Sequence, residues 1–254
     1  MIGGAELRLL IFIFARTTGF VLFNPLLGRR NLPATVRGGI VFVLSVMMFS
    51  FSEGSVAAPV GLIDFAVRIV LEMGMGFFLG LIVNIFFYIP LLAGEMVDTQ
   101  MGMTMAKMYD AGSQASMSVT SSILTILMTM LFFAANGHHT LLRILLTSGE
   151  VVPFGAVSLG DAAVNAILQI FIDCTVLAVK LCLPILAAEL IGQVGMGILM
   201  KVIPQINVFA INIELKVIIG LLLLLLLLAP MSEFLLEAER TMLDTMREVL
   251  PLTG

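Results

Sequence analysis

Six long apolar segments dominate this sequence and limit the folds that it can adopt. They cover residues 5–27, 36–52, 62–92, 117–135, 161–190 and 206–230. Most are close to the length of about 20 residues that an α-helix needs to cross a bilayer. Only 12% of the 254 residues are charged, whereas soluble domains contain about 25%. These features predict an all-α integral membrane protein with about six long hydrophobic helices, in which residues 1–254 form a single domain.

The C-terminal residues 231–254 have a different character. Apolar residues recur at helical spacing from Phe234 to Val249, and charged residues of both signs lie between them. This pattern predicts an amphipathic helix over about 232–249 that borders solvent or a partner protein. The net charge of −4 is spread thinly along the chain, so the sequence gives no indication of nucleic-acid binding.

Polar residues inside the apolar segments restrict what can face lipid. Asp64, Arg68 and Glu72 follow one another at intervals of four, so neighbouring members share a helix face. An ionisable side chain at the bilayer centre costs at least about 2.5 kcal/mol. We therefore expect several helices to pack against other protein or to extend beyond the hydrocarbon; for Asp64–Glu72 the alternative is a solvated helix end. A second row at the same spacing consists of Asn165, Gln169 and Asp173, with Lys180 beyond it.

Small residues and prolines predict local geometry. Gly76 and Gly80 form a GxxxG pattern, which places two positions without side chains on one helix face and favours close helix packing. Pro90 and Pro204 are expected to break or kink their helices.

The stretch from Pro90 to Ser116 is polar and rich in methionine, although it lies between two apolar segments. Unsatisfied polar groups are too costly in hydrocarbon for this stretch to face lipid, so it faces protein, water or a cavity. Met101, Met105 and Met108 share one face if the stretch is helical. Methionine is flexible and polarizable, which suits a seal that conforms to different surfaces. The stretch is predicted to be a plug in a membrane complex; the alternative is ordinary core packing.

Catalytic patterns give no indication of an enzyme. His138 and His139 lack a glutamate at the spacing of a zinc protease, and neither GxSxG nor a phosphate-binding loop is present. Glu95 and Asp98 are three residues apart. We expect them to cap a following polar helix or to pair with a cation of a neighbouring chain, rather than to act as an acid–base pair. No cofactor and no metal site are predicted.

Three motifs in order resemble the FliR family of flagellar export-gate proteins, whose counterpart in virulence type III secretion is called SctT. The first motif comprises Gly94, Glu95, Gln100, Met101, Gly102, Asp110 and Ser113. The second comprises Asn136, Gly137 and His138. The third comprises Lys201, Pro204, Gln205, Asn207 and Phe209. The resemblance covers essentially the whole chain.

The resemblance implies a role in protein export across the bacterial inner membrane, at the flagellar basal body. Members of this family assemble with FliP-like and FliQ-like subunits and an FlhB-like protein into a pore that passes unfolded substrates, and their helices form tilted hairpins. The resemblance also implies that residues 90–116 contain a plug loop. Met105 and Met108 occupy the plug positions, with Met101, Met103 and Tyr109 beside them.

A small ion-coupled secondary transporter is the alternative function. Glu95, Asp98 and Asp173 would then be the ion-coupling carboxylates. Transporters commonly contain internal repeats around broken helices, and the two halves of this chain show no convincing repeat. Isolation of the chain within a hetero-oligomer, rather than as a monomer or homodimer, distinguishes the export gate from the transporter.

Overall fold

The computed structural model describes residues 4–28, 32–52, 61–103, 118–202 and 208–254. Within these ranges the chain forms eight α-helices, a short 3-10 helix and no β-strand, which confirms the all-α prediction. The α-helices are α1 (Gly4–Phe23), α2 (Ala34–Phe51), α3 (Leu62–Met101), α4 (Val119–Ala134), α5 (Gly137–Val151), α6 (Asp161–Val202), α7 (Val208–Leu226) and α8 (Leu228–Val249). The 3-10 helix is Leu250–Thr253.

Among the described residues, three helices are long and apolar enough to cross a membrane, or up to five spans if each of two bent pairs counts as one. The helices α2, α3 and α6 are each long and apolar enough to cross a bilayer. Two further pairs of helices, α4 with α5 and α7 with α8, are long and apolar enough to cross a bilayer only if each pair counts as one span with a short break. This composition confirms the prediction of an all-α membrane protein.

The helix α3 is longer than the apolar segment that predicted it. It continues through Pro90 to Met101, so Pro90 does not break the helix. Ile89 and Ala93 on either side are buried, and burial of a helix face stabilises a helix more than local propensity does. The first part of the polar stretch is therefore the end of α3. Pro204 lies outside the described residues.

The helix α5 was not predicted, because its residues are less apolar than those of the other segments. Its buried residues Leu141, Ile144, Leu145 and Ser148 follow helical spacing along one face. Amphipathic periodicity was the available signal for this helix. The same periodicity is confirmed in α8, where Leu235, Met242 and Met246 are buried.

The chain falls into two compact units. The first unit comprises Met1–Phe86, Asn136–Ile172 and Glu239–Gly254. In this unit α1 packs on α2, and it also packs closely on the N-terminal half of α3. A Cβ atom on Gly76 would lie 2.7 Å from the backbone nitrogen of Phe20 and would overlap the carbonyl oxygen of Arg16. The absence of a side chain at Gly76 is what lets the two backbones approach.

The second unit comprises Phe87–Ala135 and Asp173–Ala238. Phe87 of α3 packs edge to face on Phe132 of α4, with ring centroids 5.9 Å apart. The sulfur atoms of Met96 and Cys182 lie 3.8 Å apart, which joins α3 to α6 within this unit. The C-terminal part of α3 is thus packed on two sides.

Candidate functional site

The described part of the first motif, from Gly94 to Gly102, lies on and just after the last turns of α3, where the helix stops. Gly102 follows the helix with φ of +81°, and its N–H donates a hydrogen bond to the carbonyl oxygen of Thr99 (3.1 Å). Glycine adopts this left-handed conformation without a steric penalty and commonly ends helices. The glycine of Gln100-Met101-Gly102 therefore marks the point where the chain leaves α3.

Glu95 and Asp98 do not form a paired site. Glu95 is exposed, whereas Asp98 is 1% exposed. Both residues lie inside α3, so the expectation that they cap a following helix is wrong. The reason is that α3 extends through Pro90 instead of ending before the polar stretch.

The methionines of the polar stretch have different surroundings. Met101 is fully buried, and its side chain lies directly against the backbone of Gly220 in α7. Met103 is half-buried at the end of the described segment. Met105, Met108, Tyr109, Asp110 and Ser113 lie outside the described residues.

A buried polar cluster, which the sequence analysis missed, joins the end of α3 to the start of α4. The Thr120 hydroxyl donates to Oδ1 of Asp98, and the Ser121 hydroxyl donates to the carbonyl oxygen of Leu91 (2.7 Å). Thr120 and Ser121 are both fully buried. The sequence did contain a signal for this cluster. Thr120 and Ser121 lie near the start of one apolar segment, and Asp98 follows the end of the preceding one.

The second motif forms the turn between α4 and α5. Asn136 has φ of 58°, a left-handed conformation that asparagine tolerates better than most residues. Its carbonyl oxygen accepts a hydrogen bond from the N–H of His139 (3.0 Å), and Gly137 is buried. The rings of His138 and His139 lie 4.1 Å apart. Among the described residues, no cluster of His, Cys, Asp and Glu could hold a metal ion.

The third motif is described only at its edges. Lys201 is exposed near the end of α6, and Phe209 belongs to the first turn of α7. Pro204, Gln205 and Asn207 lie outside the described residues.

A fully buried ion pair lies within the first unit. Nε of Arg16 donates to Oε2 of Glu72 (2.7 Å), and both side chains are 0% exposed. The two other guanidinium nitrogens donate to Oγ of Ser148 (3.0 Å) and to the carbonyl oxygen of Val152 (3.2 Å). The guanidinium carbon also lies 4.3 Å from the centroid of the Phe154 ring. Arg16 therefore ties α1 to α3, to α5 and to the loop after α5.

Two charged residues of α3, Arg68 and Glu72, bind the loop after α5 at the two peptide groups that flank Gly155. Oε1 of Glu72 accepts from the N–H of Gly155 (2.7 Å), and Nη1 of Arg68 donates to the carbonyl oxygen of Gly155 (2.8 Å). Arg68 also pairs with the partly exposed Asp64 (3.0 Å). The expected solvated helix end is correct for Asp64, which is partly exposed. It is wrong for Glu72, because this carboxylate is fully buried and pairs with Arg16.

Comparison with known proteins decides which family this architecture represents. The sequence matches the profile of the family described as bacterial export proteins, family 1, over residues 7–242. The chain belongs to this family. Its helical fold and apolar spans agree with a membrane protein of an export apparatus.

Family members of similar length align with almost the whole chain. The flagellar biosynthetic protein FliR of Bacillus subtilis is 26% identical, over 96% of this chain and 95% of the relative. FliR of Escherichia coli is 27% identical, over 97% and 95%. The Yop proteins translocation protein T of Yersinia pestis is 26% identical, over 90% and 88%. The chain is therefore a membrane component of a flagellar or type III export apparatus and not an enzyme.

Proposed function

We propose that this chain is a subunit of the flagellar protein-export gate in the bacterial inner membrane, at the flagellar basal body. It forms part of the pore through which unfolded substrates pass, as a single FliR-like domain. The observation that carries the proposal is the match to the export family over residues 7–242. The names of the relatives, which refer to flagellar biosynthesis and to translocation of Yop proteins, support it.

The surface of the helices supports assembly with other membrane subunits. In the first unit, α6 exposes the Asn165 amide beside the apolar side chains of Val164 and Leu168. A helix face that carries both an amide and apolar side chains is better covered by protein than by lipid, because lipid offers no hydrogen-bond partners. We propose FliP-like and FliQ-like subunits and an FlhB-like protein as the partners that cover such faces.

The plug of this pore is proposed to lie between α3 and α4. Met105 and Met108 seal the resting pore, with Met103 and Tyr109 beside them. Met101 supports this segment from inside the second unit, where it packs on Gly220. Flexible methionine side chains close an empty pore and also conform to a passing chain.

Native mass spectrometry of the complex, extracted in mild detergent from its own cells, tests the assembly. We expect one copy of this chain with several copies of two other small membrane proteins. A monomer or homodimer that persists under gentler extraction would contradict the gate and favour the ion-coupled transporter. Mutation of Glu95, Asp98 and Asp173 would then be the next experiment.

Ion leak through the resting complex tests the plug. Replacement of Met105 and Met108 together by Gly removes the bulk of the proposed seal, so membrane conductance in cells that express the variant should rise. Replacement of both by Leu keeps apolar bulk and serves as the matched control. An unchanged conductance in the Gly variant, with a normally assembled complex, would reject the methionine seal.

A further inference from the structure

The part of α6 that belongs to the second unit, from Asp173 onward, exposes a lysine within an apolar face. Lys180 is exposed, and so are Val176, four residues before it, and Leu183, three residues after it. Residues three and four positions apart are neighbours on the surface of a helix, so the ammonium group lies among apolar side chains. The helix is also long and apolar enough to cross a membrane. Such a face is covered by hydrocarbon or by another protein.

The charge of Lys180 is not neutralised by the described part of the chain. Among the residues that the structure describes, Lys180 has no ion-pair or hydrogen-bond partner. Asp173 shares its side of the helix but lies seven residues away, which is about 10 Å along the axis. Glu189 is buried and lies nine residues away, about 180° around the helix. The described residues therefore provide no counter-charge for this lysine.

A proline in the next turn leaves a second polar group without its usual partner. Pro184 lies inside α6, four residues after Lys180, and is exposed. Proline has no N–H, so the carbonyl oxygen of Lys180 lacks the hydrogen bond that the residue four positions later donates in a regular helix. The ammonium group and the carbonyl oxygen of one residue thus both require polar partners at one place in an apolar face.

We propose that a membrane helix of a neighbouring subunit packs on this face and places a carboxylate against the Lys180 ammonium. An unpaired lysine is costly in hydrocarbon, and polar side chains of packed membrane helices form hydrogen bonds with one another. A carboxylate supplies the missing charge, and a hydroxyl beside it on the partner helix donates to the free carbonyl oxygen. The inference rests on the proposed function, because it requires a partner subunit in the membrane.

The position of Lys180 favours a partner helix over the phosphate of a lipid. Exposed apolar side chains continue on both sides of Lys180 along α6, from Val176 to Leu190. Phosphates lie in the headgroup layer outside the hydrocarbon, whereas Lys180 lies inside the apolar face. Lipid tails offer neither a negative charge for the ammonium nor a donor for the carbonyl oxygen.

Native mass spectrometry of the complex, extracted from its own cells, tests the contact. Lys180→Met keeps an unbranched side chain and removes the charge, so the amount of the partner subunit that remains bound should fall about tenfold or more. Lys180→Arg keeps a cation and should assemble normally. Arg143→Met is the control, because it removes an exposed cation from a different helix, α5.

The stability of the isolated chain separates a contact between subunits from a role in folding. Lys180 is exposed and has no partner among the described residues. Lys180→Met should therefore leave the SDS midpoint of unfolding of the purified chain unchanged, or raise it. A clearly lowered midpoint would overturn the proposal, because Lys180 would then stabilise its own chain.

Dicyclohexylcarbodiimide, which enters membranes and joins an amine to a nearby carboxylate, identifies the partner residue. After treatment of the intact complex, peptide mass spectrometry should find Lys180 joined to an Asp or Glu of another subunit. Lys180→Glu should prevent assembly, and replacement of the identified carboxylate by Lys in the partner should restore it.

The remaining outcomes separate this contact from the proposed function. Equal assembly of Lys180→Met and the wild type would overturn the contact and leave the export-gate subunit intact. Loss of bound anionic phospholipid from Lys180→Met, with all subunits retained, would assign Lys180 to a lipid and overturn the contact. A wild-type chain that is monomeric after gentle extraction would reject the proposed function, and the contact with it.

Discussion

The two units each bury a carboxylate of α3, and they satisfy it to different extents. In the first unit, Glu72 accepts from Arg16 through one oxygen and from the Gly155 N–H through the other. In the second unit, Asp98 accepts from Thr120 through one oxygen, and the other has no hydrogen-bond partner among the described residues. The same helix therefore carries one saturated and one half-satisfied buried acid.

The difference indicates different contributions to stability from the two ends of α3. A saturated ion pair that contacts several chain segments holds those segments in one arrangement, and loss of either member leaves an uncompensated buried charge. A buried carboxylate with a single hydrogen bond recovers less of its desolvation cost and is expected to contribute little stability. We therefore expect the ion pair of the first unit to contribute more to stability than the buried carboxylate at the end of α3.

Loss of the ion pair should have the largest effect of any single substitution in this comparison. Glu72→Ala leaves the Arg16 guanidinium buried without its counter-charge, so the free energy of unfolding should fall by about 3–5 kcal/mol. SDS titration of the purified chain in mild detergent, followed by circular dichroism, measures this change. Asp64→Ala is the control: its pair with Arg68 is partly exposed, so the loss should stay within about 1 kcal/mol. Equal losses in the two variants would contradict the larger contribution expected of Glu72.

Substitution of a packing glycine should have an intermediate effect. Gly76→Ala places a methyl group against the backbone of Arg16 and Phe20, which cannot move away as a side chain can. We expect a loss of about 1–3 kcal/mol in the same titration. Gly38→Ala in α2 meets no atom within 4 Å, so the higher helix propensity of Ala should stabilise this variant by up to about 1 kcal/mol. A neutral Gly76→Ala would show that α1 and α3 separate easily.

An ion pair at the surface of α8 should have the smallest effect. The side chains of Asp244 and Arg247 are 66% and 54% exposed, and their charged atoms lie 3.1 Å apart. Asp244→Asn should change the free energy of unfolding by no more than about 0.5 kcal/mol. A loss close to that of Glu72→Ala would show that charge alone, rather than burial, determines the ranking.

Elements with strong hydrophobic patterns were predictable from the sequence. The long apolar segments predicted the helices α1 to α4, α6 and α7, and helical periodicity predicted α8. Pro90 misled the prediction, because local propensity opposes a helix at proline while tertiary packing on both sides maintains it. The amphipathic α5 carried a weaker signal and was missed.

The partners of the polar residues were not predictable from spacing. The spacing placed Arg68 and Glu72 on one face of α3, but it did not identify Arg16, 56 residues before Glu72, as the residue opposite. Thr120 was likewise missed, because a threonine inside an apolar segment usually bonds to its own helix, as Thr17 does to Ile13. The spacing of polar residues shows which side of a helix they share. It does not show which residue of another helix will contact that side, because the tertiary fold determines this.

The hydrogen-bond acceptors of Arg16 all lie far behind it in the sequence, so they are synthesised after it. Its acceptors Glu72, Ser148 and the Val152 carbonyl follow it by 56, 132 and 136 residues. At about 5–20 residues per second, the ribosome makes the last of these, 136 residues on, roughly 7–27 seconds after Arg16. During that interval, the guanidinium of α1 lacks its final set of acceptors and needs water or other polar groups in their place. The first helix of the chain therefore reaches its final environment only when more than half of the protein has been made.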